Sequence, residues 1–322
     1  MRIVFMGTPD FAVNTLDAIY QAGHEIVLVV TQPDKPKGRS GALQMSDVKK
    51  YAAEHGLEVF QPVRIREEEA AERLRECGCE LIVVAAFGQI LTKEILDMPK
   101  YGCINVHASL LPRLRGASPI QTAILEGDRE TGVTIQRMGE GLDTGDIISA
   151  RSIPIEASDT GGSLFDKLAG LGASLAVETI AAIAEGRAVY TPQDEGRASY
   201  ARKIDKSMGH IDWTKSAGET ERLVRALDPW PSAFTFIGGK MLKIWKAEAG
   251  PAKEAAPGTV AEIKKDGITV SCGEGSLIIR ELQLEGKKRM SAQAFLLGYP
   301  LKCGTVLDIQ DFSDNMIQTP KV

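Results

Sequence analysis

The first 190 residues alternate between apolar runs of strand length and stretches with helical spacing, and this alternation constrains the fold more than any other feature. The apolar runs are RIVFM, HEIVLVVTQ, LEVFQP, CELIVVAAF and CINVHAS, and the helical stretches between them are PDFAVNTLDAIYQAG, SDVKKYAAEHG and IREEEAAERLRECG. Strands that alternate with helices in this way favour a parallel sheet. Because runs such as LIVVAAF are apolar throughout, we expect helices on both faces of that sheet. The pattern predicts an α/β domain with a Rossmann-like, mostly parallel sheet over residues 1–189.

The chain changes in character after this domain. Residues 190–208, YTPQDEGRASYARKIDKSM, are polar and lack periodicity, which is typical of a surface linker. Beyond them, one helical stretch is followed by short strand-like runs separated by glycine-containing turns. Regularly spaced short strands predict a smaller C-terminal β-barrel domain of the OB kind over residues 209–322, and a plain β-sandwich has the same pattern.

Composition and missing motifs exclude several classes of protein. The five cysteines are scattered, so we expect reduced thiols and no metal site. The turn after the first strand has Gly7 alone where a dinucleotide-binding loop needs three glycines, and the phosphate-loop, serine-hydrolase and zinc-protease motifs do not occur. The apolar runs are too short to cross a membrane, and the N-terminus lacks the layout of a signal peptide. We therefore expect a cytoplasmic protein that does not bind membranes.

Charge is distributed unevenly along the chain. The net charge is −5, but residues 206–322 carry 16 Lys and Arg against 14 Asp and Glu, which leaves −7 for residues 1–205. The relatively basic C-terminal part is compatible with an acidic partner, and a difference this small is also typical of ordinary solvated surface.

Two polar side chains share one face of the strand CINVHAS. Side chains alternate along a strand, so Asn105 and His107 point the same way, near the carboxyl end where open α/β sheets bind ligands. Asp143 lies further on in the glycine-rich turn MGEGLDTGDII, which can face the end of that strand. An amide, an imidazole and a carboxylate in one cleft suit attack by an amine on an acyl carbon. The same three residues also fit a purely structural role in buried backbone pairing and turn formation.

The run from His107 to Gly116, HASLLPRLRG, preceded by Asn105 and followed by GLDTGD, resembles the signature of the folate-dependent formyltransferases. The resemblance implies formyl transfer from 10-formyltetrahydrofolate, as a co-substrate, to an amine without a metal. It implies that Asn105 stabilises the oxyanion, that His107 serves as acid or hydrogen-bond donor, and that Asp143 supports His107 and helps accept the proton of the amine. The positions that match folate-contacting parts of the family are Ser109, Leu110, Leu111, Pro112, Phe87, Gly88, Gln89, Ile90 and Leu91.

The resemblance runs through nearly the whole chain and is closest to the family members whose acceptor is initiator methionyl-tRNA. The matching segments include MGTPDFA, TQPDKPKGR, IDWTKSA and RALDPWP. The resemblance implies a monomer in which the loop after the second strand meets the acceptor end of the tRNA and the C-terminal domain binds its body. The basic residues concerned are Lys35, Lys37, Arg39, Lys240, Lys243 and Lys246. Lysines and arginines in such places are also typical of solvated surface.

The chain departs from the family in one loop. Beyond Arg39 the family continues with glycine, lysines and a Pro-Ser-Pro run, whereas residues 40–47 here are SGALQMSD. The loss of positive charges and prolines bears on the stiffness of the loop and on its phosphate contacts. Three other functions stay open: formylation of an amino sugar or of glycinamide ribonucleotide, hydrolysis of the folate donor, and RNA binding without catalysis.

Overall fold

The fold is described here from a computed structural model, for residues 1–36 and 43–307. These residues form two compact units. The first consists of Met1–Ala123, Asp128–Glu156 and Ser163–Lys203. The second consists of Ile124–Gly127, Ala157–Gly162 and the described chain from Ile204 onward.

Strands and helices alternate through the first two thirds of the chain, as the sequence predicts. The strands are β1 (Arg2–Gly7), β2 (Glu25–Val30), β3 (Lys35–Pro36), β4 (Leu43–Gln44), β5 (Val59–Phe60), β6 (Leu81–Ala85), β7 (Cys103–His107), β8 (Arg115–Gly116), β9 (Glu130–Arg137), β10 (Ile147–Pro154) and β11 (Tyr200–Ala201). The helices are α1 (Asp10–Gln21), α2 (Asp47–Glu54), α3 (Glu68–Glu76), α4 (Lys93–Asp97), α5 (Pro119–Glu126) and α6 (Gly161–Ala184).

Seven of these strands form one mostly parallel sheet in the order β10-β9-β7-β6-β1-β2-β5. Strands β1, β2, β5, β6 and β7 run parallel, and β9 and β10 are antiparallel to their neighbours. On one face Met6 and Val84 belong to an apolar cluster with Leu74 of α3 and Ile95 of α4. The other face carries α6, so the prediction of a Rossmann-like sheet covered on both sides is confirmed.

Helix α6 is long and apolar, with 24 residues. Among the described residues it is the one helix whose length and composition would suffice to cross a membrane. A Cβ added at Gly172 of this helix would lie 2.8 Å from Cγ1 of Val106 in β7. The helix therefore lies directly on the sheet, as core helices do.

The second unit is built on an antiparallel sheet. Its strands are β12 (Ala233–Ile237), β13 (Lys240–Gly250), β14 (Val260–Lys264), β15 (Gly267–Ser271), β16 (Ser276–Leu284) and β17 (Met290–Ser291), and its helices are α7 (Ala217–Ala226) and α8 (Ala292–Gly298). The strand order is β12-β13-β16-β15-β14, with β17 on β16. Trp213 is fully buried in the core, where its indole N–H donates to Oγ1 of Thr235 at 3.1 Å. A smaller C-terminal domain of antiparallel strands is thereby confirmed.

Within the segment between the two predicted domains, the residues up to Lys203 belong to the first unit. Strand β11 pairs in parallel with β8, so that Tyr200 lies opposite Arg115 and Ala201 opposite Gly116. A strand of two residues is too short to show a periodic pattern in the sequence. The predicted boundaries of 1–189, 190–208 and 209–322 stay a prediction.

Candidate active site

Strand β7 carries two of the candidate catalytic side chains. It pairs in parallel with β6 and antiparallel with β9, and Asn105 lies opposite Gln136 while His107 lies opposite Thr134. Val106 points to the face covered by α6, so Asn105 and His107 share the other face, in agreement with the alternation along the strand.

Asp143 lies in the tight turn between β9 and β10. Its φ of 52° is in the left-handed region, which residues other than glycine rarely adopt. The turn is so close to β9 that a Cβ added at Gly145 would lie 1.6 Å from the carbonyl oxygen of Arg137. Glycine at 145 is therefore a condition for this turn geometry.

The turn brings the carboxylate of Asp143 to the end of β7. Oδ1 of Asp143 accepts a hydrogen bond from Nδ2 of Asn105 at 3.3 Å and lies 3.7 Å from Nδ1 of His107. Oδ2 accepts from the backbone N–H of Gly116 at 2.8 Å. The side chains of His107 and Asp143 are only 7% and 12% exposed. The structure thus brings the three predicted residues together in one sheltered place.

The surroundings of His107 give its two ring nitrogens different tasks. Nε2 lies 3.0 Å from the carbonyl oxygen of Leu114, which can only accept a hydrogen bond, so Nε2 carries a hydrogen. Nδ1 is the nitrogen that faces Asp143. The nitrogen left for proton exchange or for a hydrogen bond to a substrate is therefore Nδ1.

Two glutamines that no sequence motif singles out complete the surroundings of Asp143. Nε2 of Gln136 donates to Oδ1 of Asp143 at 2.9 Å. Nε2 of Gln193 donates to the backbone carbonyls of Asp143 at 2.8 Å and of Gly145 at 2.7 Å. Gln136 could have been found only from the register of β7 against β9, and Gln193 falls in a segment without any periodic signal.

The predicted folate residues of the motif differ in how accessible they are. Ser109 and Leu111 are buried, whereas Leu110 and Pro112 are half-buried. Oγ of Ser109 donates to the carbonyl of Arg113 at 2.6 Å, and Oγ1 of Thr134 donates to the carbonyl of Ser109 at 2.7 Å. These bonds indicate that Ser109 holds the loop in shape, and the binding of folate by this segment stays a prediction.

The second predicted folate segment, from Phe87 to Leu91, follows β6 at the same edge of the sheet. Phe87 and Leu91 are buried, Gln89 accepts from the backbone N–H of Ile65 at 2.8 Å, and Ile90 is 79% exposed. Gly88 has a φ of 80°, and a Cβ there would lie 2.7 Å from Nε2 of Gln32. Gly88 and Ile90 are exposed, and the side on which a Cβ of Gly88 would lie is already occupied by Gln32.

The predicted RNA-binding residues fall in two regions. Lys35 is exposed in β3 and its Nζ donates to Oε1 of Gln32 at 2.8 Å, whereas Lys37 and Arg39 lie outside the described residues. In the second unit Lys240 and Lys246 are exposed. Nζ of Lys243 lies 5.7 Å from the centroid of the Trp245 ring, and the guanidinium of Arg289 lies 5.0 Å from it on the same unit.

Side chains that could bind a metal do not cluster within residues 1–36 and 43–307. No group of three or more His, Cys, Asp or Glu side chains there has an arrangement that could hold a metal ion.

Comparisons with known proteins show which family the chain belongs to. Residues 1–180 match the family model described as formyl transferase, and residues 203–300 match the model of the formyl transferase C-terminal domain. The chain is 54% identical to methionyl-tRNA formyltransferase from Agathobacter rectalis over 95% of its length and 99% of that protein. It is 52% identical to methionyl-tRNA formyltransferase from Lachnospira eligens, again over 95% of this chain and 99% of the relative.

Solved structures with the same fold share much less sequence. An N-formyltransferase from Helicobacter canadensis, in complex with folinic acid and dTDP-3-aminofucose, is 22% identical with a TM-score of 0.64, over 86% of this chain and 98% of that one. HypX from Aquifex aeolicus in complex with tetrahydrofolic acid is 18% identical with a TM-score of 0.60, over 92% of this chain and 47% of that one. At these identities the likeness establishes the fold alone.

Proposed function

The chain belongs to the formyl transferase family, among its methionyl-tRNA formyltransferases, and from this we propose that it transfers a formyl group from 10-formyltetrahydrofolate to the α-amino group of methionine on initiator tRNA. One observation carries the proposal: Asn105 donates to Oδ1 of Asp143 at 3.3 Å and Nδ1 of His107 lies 3.7 Å from the same oxygen, in a chain that matches both domains of the family. The reaction takes place in the cytoplasm, where charged tRNA and folate meet.

In the first chemical step the amine nitrogen attacks the formyl carbon, a new C–N bond forms, and the carbonyl oxygen becomes an oxyanion. Asn105 is half-buried. One of its Nδ2 hydrogens is donated to Oδ1 of Asp143 in a long hydrogen bond of 3.3 Å. Its other hydrogen is available to the oxyanion, and a donor positioned in this way stabilises charge that develops only in the transition state.

In the second step the bond between the formyl carbon and N10 of the folate breaks, N10 takes up a proton and the amine loses one. His107 and Asp143 together carry that proton, since Nδ1 of the imidazole and Oδ1 of the carboxylate face one another at 3.7 Å. His107 is held in place by its bond to the carbonyl of Leu114, so its ring keeps this orientation through the reaction.

The folate donor binds along the carboxyl edge of the sheet. Leu110 and Pro112 on one loop, and Gly88 and Ile90 on the other, offer apolar surface and backbone groups to a flat ring. Buried neighbours such as Phe87 and Leu111 keep the two loops in shape. Ligand binding at this edge is the general behaviour of open α/β sheets.

The tRNA acceptor is bound through basic side chains on both parts of the chain. Lys35 stands at the base of the loop after β2, and Lys240, Lys243 and Lys246 are carried by β13. Phosphate contacts of this kind give affinity without reading bases. Each neutralised phosphate makes the slope of log K against log salt more negative by about 0.9 on duplex nucleic acid, so the affinity for tRNA falls steeply as salt is added.

The proposal is tested by transfer of labelled formyl from 10-formyltetrahydrofolate to initiator tRNA charged with methionine. We expect label in the tRNA that mild alkali releases as formylmethionine, and none in uncharged tRNA. Formate release in the absence of any amine would instead support hydrolysis of the donor. Binding of tRNA without any turnover of the donor would support an RNA-binding protein that has lost catalysis.

A further inference from the structure

Gln193 ties the segment after α6 to the turn that carries Asp143. Its Nε2 donates to the backbone carbonyls of Asp143 and Gly145 at 2.8 and 2.7 Å. Its Oε1 accepts from Nε and NH2 of Arg115 at 3.1 and 2.9 Å. Because Arg115 can only donate and the two carbonyls can only accept, the amide has one possible orientation, with its oxygen toward the arginine.

Arg115 anchors the other side of this connection. Its side chain is fully buried, and besides Gln193 it donates to both carboxylate oxygens of Glu195, at 2.9 and 2.7 Å. The next residue, Gly116, donates its backbone N–H to Oδ2 of Asp143 at 2.8 Å. The carboxylate of Asp143 thus accepts from Gly116 as well as from Asn105 and Gln136, while its backbone is held by Gln193. Two of these contacts, those of Gly116 and Gln193, adjoin Arg115.

Hydrogen bonds to both the carboxylate and the backbone of Asp143 fit its unusual backbone conformation. A residue other than glycine in the left-handed region is strained and persists only where the surrounding structure over-determines it. The two carbonyls that Gln193 binds belong to the strained residue itself and to Gly145, two positions later. Removing these bonds would let the turn relax and carry the carboxylate away from Asn105 and His107.

We infer that Gln193 is a positioning residue for Asp143, which it serves by donating two hydrogen bonds to the turn, with Arg115 fixing the orientation of its amide. This inference rests on the proposed formyl transfer, because Asp143 has a catalytic task only in that reaction. The amide of Gln193 is engaged by Arg115 and by the turn, so its inferred task is to hold the turn and not to bind a substrate. Its loss therefore slows turnover and leaves the binding of folate and tRNA unchanged.

The variant that isolates this role is Gln193→Glu. A glutamate still accepts from Arg115, but it cannot donate, and its second oxygen faces two carbonyl oxygens. We expect kcat for formyl transfer to fall about 10-fold to 10²-fold, as misplacement of a reacting group by about 1 Å does, with both KM values within about threefold of wild type. If Gln193 served only to hold its own segment through Arg115, this variant would keep wild-type kcat and the inference would be overturned.

Gln283→Glu is the matched control. Gln283 of the second unit also accepts from a side-chain N–H, that of Trp245 at 3.2 Å, and also donates to a backbone carbonyl, that of Lys287 at 2.8 Å. Gln283 lies opposite Lys243 in β13, so the added charge can raise the KM for tRNA. We expect kcat with saturating tRNA to stay within about twofold of wild type, because the proposed catalytic residues belong to the first unit. A loss of kcat equal to that of Gln193→Glu would make the effect unspecific and overturn the inference.

A double-mutant cycle with Asp143→Asn separates positioning from general damage. In that background the catalytic carboxylate is already gone, so adding Gln193→Glu should lower the single-turnover rate by less than about twofold. If the two losses multiply instead, Gln193 acts independently of Asp143 and the inference fails while the proposed function stands. If the wild-type protein does not formylate methionyl-tRNA, the proposed function itself fails. Should the glutamate variant not fold, Gln193→Met replaces it in the same cycle with the same expected rates, because it removes both kinds of bond without adding charge.

Discussion

Gly145 offers the sharpest structural test of the catalytic turn. A Cβ at this position would lie 1.6 Å from the carbonyl oxygen of Arg137, and because Cβ atoms do not come closer than about 3.0 Å to such an oxygen, one of the two must move by at least ~1.4 Å. Arg137 cannot easily yield, since it pairs with Ile104 in β7 and its N–H donates to the carbonyl of Asp146 at 2.8 Å. The turn that carries Asp143 therefore moves.

We expect Gly145→Ala to lower kcat by about 10²-fold, which corresponds to ~2.7 kcal/mol of activation free energy. Overpacking of this kind destabilises a fold by about 1–3 kcal/mol, which is less than the stability of a typical domain, so the variant should remain folded. The assay is single-turnover formyl transfer to methionyl-tRNA with enzyme in excess, accompanied by a thermal melt.

Gly139→Ala is the control in the same turn. A Cβ at Gly139 meets nothing within 4 Å, and its φ is not in the left-handed region, so kcat should stay within about twofold of wild type. If Gly145→Ala also turned over at the wild-type rate, the position of Asp143 would not matter for catalysis and the reasoning would be refuted. Equal losses in both variants would point to the turn as a whole and not to the close approach at Gly145.

The remaining predictions concern single side chains. Replacing Asn105 by Ala removes an oxyanion donor and should lower kcat by about 10²–10³-fold; steady-state kinetics with unchanged turnover would remove the assigned role. Replacing His107 by Ala should lower kcat by about 10²–10⁴-fold, and a change confined to KM would make it a binding residue instead. Burial lowers the pKa of His210 below its ordinary value of 6.5, so below about pH 6.5 the unfolded chain binds protons more readily than the folded one and the melting temperature should fall between pH 7.5 and 5.5. The fall in Tm should be smaller in His210→Phe but not absent, because burial also lowers the pKa of His24. A His210→Phe variant whose Tm depends on pH as in the wild type would contradict a lowered pKa for His210.

The sequence is most informative where the pattern of apolar and polar residues repeats over a short stretch of chain. Alternation of strands and helices predicts the sheet, and the period of two along CINVHAS predicts that Asn105 and His107 share a face. The glycine-rich turn that carries Asp143 is also recognisable, because such a turn between two strands is a local feature. Each of these features depends on residues close together in the chain, and the structure agrees with them.

What the sequence does not reveal depends on register and on long-range pairing. Gln136 contacts Asp143 because β9 pairs with β7 in one register, and a shift of one residue would point Gln136 to the other face. Gln193 and Arg115 are 78 positions apart and contact each other through their side chains alone. Gln193 lies in a segment whose polarity is typical of a linker. No periodic pattern accompanies such a contact, and therefore only coordinates could show it.

The most direct measurement of the central claim is a competition between acceptors. Labelled 10-formyltetrahydrofolate is supplied with methionyl initiator tRNA, a dTDP-linked amino sugar and glycinamide ribonucleotide together, each at the same concentration, and the label in each product is counted. We predict that essentially all of the label enters the charged tRNA. Label in a small amine, with the tRNA unmodified, would keep the chemistry of Asn105, His107 and Asp143 but contradict the proposed substrate.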